Sequence, residues 1–219
     1  MRLRVASFNV HSFRGGVEAA AASLGDPVPS IVLLQECGQQ LRLERFARAV
    51  SGAAIASGRS FGRMRNAVVF GSEWRIVGVP MVHELRRQGR AIPRGLIAVR
   101  LRAKAGELTA ASAHLGLSAD EREGHARELT EVLAGLREPV VLGVDLNETP
   151  EGNAARWVAA RMSDAFGLVG EGTGATFPAD EPTARIDSLF AGKGTEVVRA
   201  WVAGPGGSDH RAVLADLEI

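Results

Sequence analysis

Four apolar runs of the sequence end on polar residues of the kinds that bind metals or phosphate: Asn9 after 3–8, Glu36 after 31–35, His114 after 108–113, and Asp145 with Asn147 after 139–144. In open α/β sheets, ligands collect at the carboxyl ends of the strands, because the chain leaves the packed layer there and side chains can converge. The spacing therefore predicts one shared polar site.

The residue types indicate which chemistry such a site could perform. Carboxylate and amide oxygens are hard ligands that suit Mg²⁺, whereas the Cys and His clusters typical of zinc are absent from the sequence. Phosphoryl transfer also needs a group that orients water and donors that stabilise the developing charge. Asp187 is the natural partner for His210, since an imidazole in a site needs its second nitrogen fixed.

Each of these residues also has a structural explanation. Glu36 could cap the helix that begins near Gln39, and Asp145 with Asn147 could form an Asx turn. His114 could be a half-buried histidine with satisfied hydrogen bonds. The segment 208–210 follows Gly-Pro-Gly-Gly and could be a plain turn. The joint occurrence of all these residues favours a site.

Short β-like runs alternate with helical segments along the chain. Ten runs are predicted as strands: 3–8, 31–35, 66–70, 74–82, 96–102, 108–113, 139–144, 186–190, 196–202 and 211–217. Helices are predicted over 39–50 and about 119–137, the latter with Ser118 and Glu121 in the pattern of a capping box.

No helix is predicted between the strands of 66–82 or those of 96–113, which favours antiparallel pairing there. Mixed sheets with helices outside follow, in the α/β (α+β) class. We expect one catalytic domain over 1–219, since no linker or repeat divides the sequence.

Charge is unevenly distributed, although the formal net charge is only +1. Eight arginines stand between Arg59 and Arg94, against Glu73 and Glu84. This arginine-rich segment could face a phosphate-bearing substrate. It could equally reflect a general preference for Arg over Lys.

Cys37 is the single cysteine of the sequence, so no internal disulfide can form and a reducing compartment is expected. The first residues lack the apolar core of a secretory signal, and no segment is long and apolar enough to span a membrane. We expect a cytoplasmic monomer that needs no protein partner.

Read in order, the polar segments resemble the motif series of the endonuclease/exonuclease/phosphatase superfamily. The segments are S-F-N9-V, L-L-Q-E36, R-N66-A-V-V-F, A-H114-L, G-V-D145-L-N147, R-I-D187-S-L-F and S208-D209-H210. They cover almost the whole chain in the family order. The resemblance implies a four-layer α/β/β/α sandwich of two mixed sheets flanked by helices.

The resemblance also implies a role for each residue. Glu36 would be the principal ligand of Mg²⁺, or of Mn²⁺ in its place, with Asn9 and Asp209 near the metal. Asp145 would orient or deprotonate the attacking water, and Asn147 would hold the phosphate.

The remaining roles concern charge and substrate. His210, paired with Asp187, would stabilise negative charge, and His114 would donate to a phosphate oxygen or to the leaving group. We expect Arg94 and His11 on the substrate side, and Asn66 as a structural or substrate-side residue.

Two departures from the family pattern bear on the substrate. His11 stands where abasic-site endonucleases carry an acid, and the chain has no tyrosine at all. His114 instead resembles the pancreatic-type deoxyribonucleases, sphingomyelinases and inositol-phosphate phosphatases. We expect a Mg²⁺-dependent nuclease. A phospholipid-headgroup or small phosphate esterase is the alternative, and a catalytically inactive binding module is the third possibility.

Overall fold

A computed structural model describes residues 1–58 and 65–219 of the chain. The strands are β1 (Arg2–Asn9), β2 (Ile31–Gln35), β3 (Gly52–Ala56), β4 (Ala67–Gly71), β5 (Arg75–Ile76), β6 (Met81–Glu84), β7 (Gly95–Ala103), β8 (Gly106–His114), β9 (Val140–Asp145), β10 (Ser163–Asp164), β11 (Asp187–Ala191), β12 (Glu196–Val202) and β13 (Val213–Glu218). The helices are α1 (Val17–Ala22), α2 (Gln40–Ala49), α3 (Ala119–Ala134), α4 (Asn153–Ala159) and α5 (Ala165–Val169).

These strands form two mixed sheets. The first has the order β12-β13-β1-β2-β4-β3, and the second has the order β10-β11-β9-β8-β7-β5, with β6 also paired to β7. The β1–β2 and β8–β9 pairs are parallel, and the other pairs are antiparallel. The predicted fold class, two mixed sheets with flanking helices, is confirmed.

Three apolar clusters define the layers. One lies between the sheets, where Leu33 and Val68 meet Ile97 and Val141. A second joins the first sheet to α1 and α2, and a third joins the second sheet to α3 and α4. Each sheet therefore buries both faces, which accounts for continuous apolar runs such as 31–34 in place of strict alternation.

The sheets approach each other closely near the ends of β2 and β9. A Cβ on Gly143 would lie 2.7 Å from Cβ of Leu33 and 2.8 Å from Oγ of Ser7, so only glycine fits. Asp145 follows two residues later. This close approach brings residues from both sheets to one shared edge.

The element boundaries differ from the predicted ones where local backbone chemistry intervenes. The single strand predicted over 74–82 is two short strands, β5 and β6, because Gly78 adopts a left-handed φ of 75° and Pro80 lacks an amide donor. The predicted helix 119–137 ends at Ala134, before Gly135. The prediction lacked β3, β10, α1, α4 and α5. No helix among the described residues is long and apolar enough to cross a membrane.

Candidate active site

The strand register brings the predicted polar residues to one edge of the two sheets. In the first sheet Asn9 pairs with Gln35, so Glu36 follows at the same edge. In the second sheet Asp145 pairs with His114 on one side and with Asp187 on the other. The convergence predicted from the strand ends is therefore present.

Asp145 is the hub of this cluster. Its Oδ2 accepts a hydrogen bond from Nδ2 of Asn9 at 2.8 Å and lies 3.1 Å from Nε2 of His114. Its Oδ1 accepts from the backbone amide of Asn147 at 2.9 Å. One lone pair of Oδ1 remains available for a water molecule. The bond from Asn9 crosses from one sheet to the other.

The Asp145 carboxyl is ionised in this setting. Burial alone would raise its pKa, but the contacts with His114, His210 and Asn9 outweigh burial, and the pKa is lowered from its ordinary value. A carboxylate of low basicity holds a water by accepting its hydrogen bond more readily than it removes the proton.

Asp187 and His210 form the predicted pair. Nδ1 of His210 lies 2.9 Å from Oδ2 of Asp187, and both residues are buried. Burial lowers the pKa of His210, but the charge and hydrogen bond of Asp187 more than offset this and raise the pKa to about 9. Burial raises the pKa of Asp187, against the effect of His210. At neutral pH both ring nitrogens of His210 therefore carry a proton. Nδ1–H donates to Asp187, and Nε2–H remains as a donor for a ligand.

Thr176 positions Asp187 and was missed by the sequence analysis. Its Oγ1 accepts from the backbone amides of Ile186 and Asp187, each at 3.3 Å, and the residue is fully buried. The surrounding segment carries no motif that distinguishes this threonine from a turn residue, so the sequence offered no signal for it.

Glu36 differs from Asp145 because its carboxylate is not engaged in short hydrogen bonds among the described residues. Its Oε1 lies 3.8 Å from Nη1 of Arg94 and 3.9 Å from Nδ1 of His114. Its side chain is 17% exposed, which gives a ligand access from solvent. Its backbone has a φ of 51°, in the left-handed region that non-glycine residues rarely adopt. Strain of this kind clusters at functional sites, and Asn147 has a similar φ of 52°.

Arg94 and His114 are in direct contact. Nη1 of Arg94 lies 2.8 Å from Nδ1 of His114, and both side chains are buried. A guanidinium has only donors, so Nδ1 must accept and the imidazole proton must reside on Nε2. Burial lowers the pKa of Arg94, while the charges of Glu36, Asp145 and Glu121 oppose the change. Asn147 lies beside this pair, with Nδ2 3.0 Å from Nε2 of His114 and 3.1 Å from the Leu115 carbonyl.

The segment 208–210 closes the site from the first sheet. Ser208 donates from Oγ to the Asn9 carbonyl at 2.6 Å. Asp209 is half-exposed, and its Oδ1 lies 3.1 Å from Nδ1 of His11 and 4.0 Å from Nε2 of His210. His11 is thus at the rim of the cluster, beside one of the predicted metal ligands.

Asn66 lies deeper than a substrate-side role would suggest. Its Nδ2 donates to the Gly95 carbonyl at 2.6 Å, which ties the start of β4 in one sheet to the start of β7 in the other. Its side chain is buried, and Oδ1 has no hydrogen-bond partner among the described residues. The residue therefore acts first as a tie between the sheets.

The oxygen-rich edge fits a divalent cation. Ligand atoms of Asp145, Asp187 and His210 lie within 4.8 Å of one another. This set differs from the predicted ligands Glu36, Asn9 and Asp209. Asp145 and Asp187 already accept hydrogen bonds within the cluster, whereas Glu36 is open to solvent and engaged only at longer distances. We therefore favour Glu36 as the main carboxylate ligand.

The arginine-rich segment does not form one surface. Arg65 is buried and donates to the carbonyls of Ser57 and Gly38 and to the side chain of Gln40. Arg75 lies opposite Arg102 in the register of β5 and β7, at the end of β7 that is far from the site. Exposed Arg86, Arg87 and Arg90 lie in the loop that leads to Arg94. Arg59 and Arg63 lie outside the described residues.

The four-layer sandwich, the buried Asp187–His210 pair and the oxygen-rich edge are the features that the family resemblance of the sequence implies. The model of the endonuclease/exonuclease/phosphatase family matches residues 6–210. The chain belongs to this family. Members of the family are hydrolytic phosphoesterases that generally depend on divalent metals.

Solved structures with a similar fold are numerous. A family protein from Bacteroides thetaiotaomicron has a TM-score of 0.84 at 20% identity, covering 99% of this chain and 97% of its own. The mannosyl-6-phosphatase of the same organism has a TM-score of 0.83 at 19% identity, covering 99% and 100%. D. rerio TDP2, complexed with single-strand DNA product, has a TM-score of 0.80 at 17% identity, and the match covers 100% of this chain and 99% of TDP2. A comparison with curated protein sequences finds no match.

Proposed function

We propose that this chain is a Mg²⁺-dependent hydrolase of phosphodiester bonds and that its substrate is nucleic acid. The observation that carries the proposal is the arrangement around Asp145. Its hydrogen bonds with Asn9 and Asn147 and its contact with His114 join both sheets, and the Asp187–His210 pair lies alongside.

The donor set suits Mg²⁺, with Mn²⁺ able to replace it. Glu36 offers a carboxylate that no short hydrogen bond engages among the described residues, and Asp209 offers a second one at the rim. Mg²⁺ is typically held by one or two carboxylates while it retains several waters. When bound, the cation would neutralise charge on the phosphate and on the departing oxygen.

The residues of the chain account for the rest of the reaction. Asp145 accepts a hydrogen bond from the attacking water through the free lone pair of Oδ1 and so aims it at phosphorus. As the water oxygen bonds to phosphorus, the bond to the ester oxygen breaks, and negative charge grows on the non-bridging oxygens. The ester oxygen leaves with the bonding electron pair and takes a proton from solvent, and the water gives its proton up to solvent past Asp145. His210 donates from Nε2 to this charge, held in position by Asp187. Asn147 donates to the same phosphate.

His114 contributes as a hydrogen-bond donor from Nε2. Because Arg94 occupies Nδ1, the Nε2 proton could be given up fully only by forming an imidazolate, which is unfavourable near neutral pH. Of the two roles that the family resemblance leaves open, the donor to a phosphate oxygen is therefore favoured over the general acid.

Nucleic acid is favoured by three exposed arginines in the loop that leads to Arg94. Arg86, Arg87 and Arg90 are exposed, and Arg90 lines the cavity that Arg94 also lines. Arginine contacts with phosphates supply affinity that does not depend on sequence. A small phosphate ester is the second candidate, because the fold of the mannosyl-6-phosphatase is as similar as that of the DNA-bound TDP2.

A hydrolysis panel tests the proposal. With Mg²⁺ present, DNA, RNA, bis-p-nitrophenyl phosphate, p-nitrophenyl phosphate and sphingomyelin are compared for the wild type and for Asp145→Asn. We expect cleavage of polynucleotide and of the bis-ester, with a loss of about 10²-fold or more in the variant. Glu171→Gln neutralises an exposed acid that pairs with Arg199 and serves as the control. Cleavage of sphingomyelin or of monoesters alone would reject the nuclease assignment.

A further inference from the structure

A cavity of about 350 Å³ lies beside the candidate active site, and we call it the Glu121 cavity. Its lining includes Gln88, Arg90 and Ile92 from the loop before β7, Arg94, and Leu117 with Glu121 at the start of α3. Arg94 connects it to the active site, since Nη1 of the same side chain contacts His114. The volume is in the range of about 300–1,000 Å³ that is typical of small-molecule sites.

Glu121 does not play the part that its position in the sequence predicts. Ser118 caps α3 by accepting from the Glu121 amide at 3.3 Å, which is one half of a capping box. The other half would be a bond from the Ser118 amide to the Glu121 carboxylate, and no such bond is present among the described residues. The carboxylate turns inward instead and lies against Gly116, where a Cβ would collide with it.

Within the described part of the chain, one oxygen of the inward-turned carboxylate has no hydrogen-bond partner. Glu121 is 5% exposed, and its Oε1 is unpaired among the described residues. Nε2 of His125 lies 3.9 Å from this oxygen, beyond hydrogen-bond distance, and is already 3.1 Å from the Arg86 carbonyl. An unpaired buried carboxylate destabilises a fold, so its presence calls for a functional reason.

A second unpaired atom lines the same cavity. Nε of Arg94 is buried and lacks a hydrogen-bond partner within the described ranges. Two of the three charged residues in the lining, Glu121 and Arg94, therefore carry one unused acceptor and one unused donor. A hydroxyl group both donates and accepts, so a ligand with neighbouring hydroxyls satisfies both atoms.

Position and shape narrow the ligand further. In the proposed function the phosphate lies beside His114, so the adjoining cavity receives the group that is esterified to that phosphate. Ile92 is 45% exposed and Leu117 is 61% exposed, and both line the cavity. Apolar side chains of this kind suit the C–H face of a ring.

We propose that the Glu121 cavity binds a sugar ring with free hydroxyl groups that is esterified to the phosphate held in the active site. The inference rests on the proposed phosphoesterase function and specifies its substrate. In a polynucleotide the ring is ribose, whose 2′-hydroxyl distinguishes RNA from DNA. In a small ester it is the sugar of a sugar phosphate.

Two matched pairs of substrates test the proposal. The first pair is RNA and DNA oligonucleotides of the same sequence, and the second is a hexose 6-phosphate and n-hexyl phosphate, which lacks the hydroxyls. We expect the wild type to favour the hydroxylated member of at least one pair by about 10- to 100-fold in kcat/KM. The responding pair identifies the source of the sugar.

Variants of Glu121 connect the preference to the cavity. Glu121→Met keeps a similar volume and removes both acceptor oxygens, so the preference should disappear, whereas Glu121→Gln should retain part of it. Both variants should melt at or above the wild-type temperature, because an unpaired buried charge is removed. Glu131→Met, on an exposed position of the same helix, is the matched control. A preference that survives Glu121→Met, or no preference in either pair, would overturn the proposal.

Binding without turnover separates this inference from the proposed function. With EDTA present, melting temperatures are measured with the hexose 6-phosphate and with n-hexyl phosphate. If no substrate is hydrolysed but the sugar phosphate alone stabilises the wild type and not Glu121→Met, the phosphoesterase proposal fails and the sugar site stands. If hydrolysis occurs equally within each pair, the phosphoesterase proposal stands and the sugar site is rejected.

Discussion

Arg94 fixes the tautomer of His114 by donating from Nη1 to Nδ1 at 2.8 Å. The imidazole proton is thereby held on Nε2, which faces Asp145 at 3.1 Å. A histidine whose Nδ1 accepts from an arginine can stabilise a phosphate oxygen by donating from Nε2, but it cannot easily give that proton up to a leaving group.

Substrates with different leaving groups test this assignment. His114→Ala should slow an alkyl phosphodiester and a p-nitrophenyl diester by similar factors, about 10²-fold, because the lost donor stabilises charge whichever group departs. The measurement is kcat on both substrates, with circular dichroism melting as the control for folding. A much larger loss on the alkyl ester would identify His114 as a general acid after all.

Asp187 and His210 should behave as one unit in catalysis. Asp187→Asn and His210→Gln should each lower kcat by about 10²-fold or more, since each removes the charged donor or its support. The double variant should be little worse than the poorer single variant, because neither residue acts without the other. Additive losses in kcat would show that the two side chains contribute separately.

The exposed arginines of the loop that leads to Arg94 should control substrate affinity. Replacing Arg86, Arg87 and Arg90 together by Gln should raise KM for polynucleotide and flatten its salt dependence, because fewer counterions are released on binding. Arg75→Gln is the control, since Arg75 lies at the other end of β7. An unchanged salt slope would mean that these three arginines are only solvated surface.

Cys37 should be unreactive in the folded protein, although it follows Glu36 directly. Its side chain is fully buried, and burial raises the pKa of the thiol to about 12, despite the nearby charge of Arg65. Iodoacetamide at pH 8 should therefore alkylate Cys37 only after unfolding, as measured by intact mass. Rapid labelling of the native protein would show that the backbone around Glu36 opens readily.

The convergence of these polar residues could be predicted because the ends of the strands can be recognised in the sequence. Asn9, His114 and Asp145 follow apolar runs of the length expected for strands, and parallel pairing then brings their side chains to one edge. Glu121 was predicted to be a capping residue because it follows Ser118 by three residues, the spacing of a capping box. Its inward turn depends on the space left by Gly116 and on the loop that carries Ile92, both of which are tertiary features.

The contacts of Thr176 with Asp187 and of Arg94 with His114 could not be predicted either, because they too are tertiary features. Thr176 supports Asp187 across eleven residues of chain, and Arg94 meets His114 across twenty, without any periodicity that links the members of either pair. The helices α1, α4 and α5 are short, so their apolar faces complete at most two turns and leave a weak pattern.

In the proposed function, a divalent cation bound through Glu36 drives phosphodiester hydrolysis at the Asp145 cluster. The most direct measurement is the Mg²⁺ dependence of bis-p-nitrophenyl phosphate cleavage after exhaustive chelation, for the wild type and for Glu36→Gln. We predict that the chelated wild type is inactive and recovers with Mg²⁺ or Mn²⁺. Glu36→Gln should need far more Mg²⁺ for half-maximal rate, because its amide is a poorer ligand than a carboxylate. Full activity of the chelated enzyme, or the same Mg²⁺ requirement in Glu36→Gln, would contradict the account.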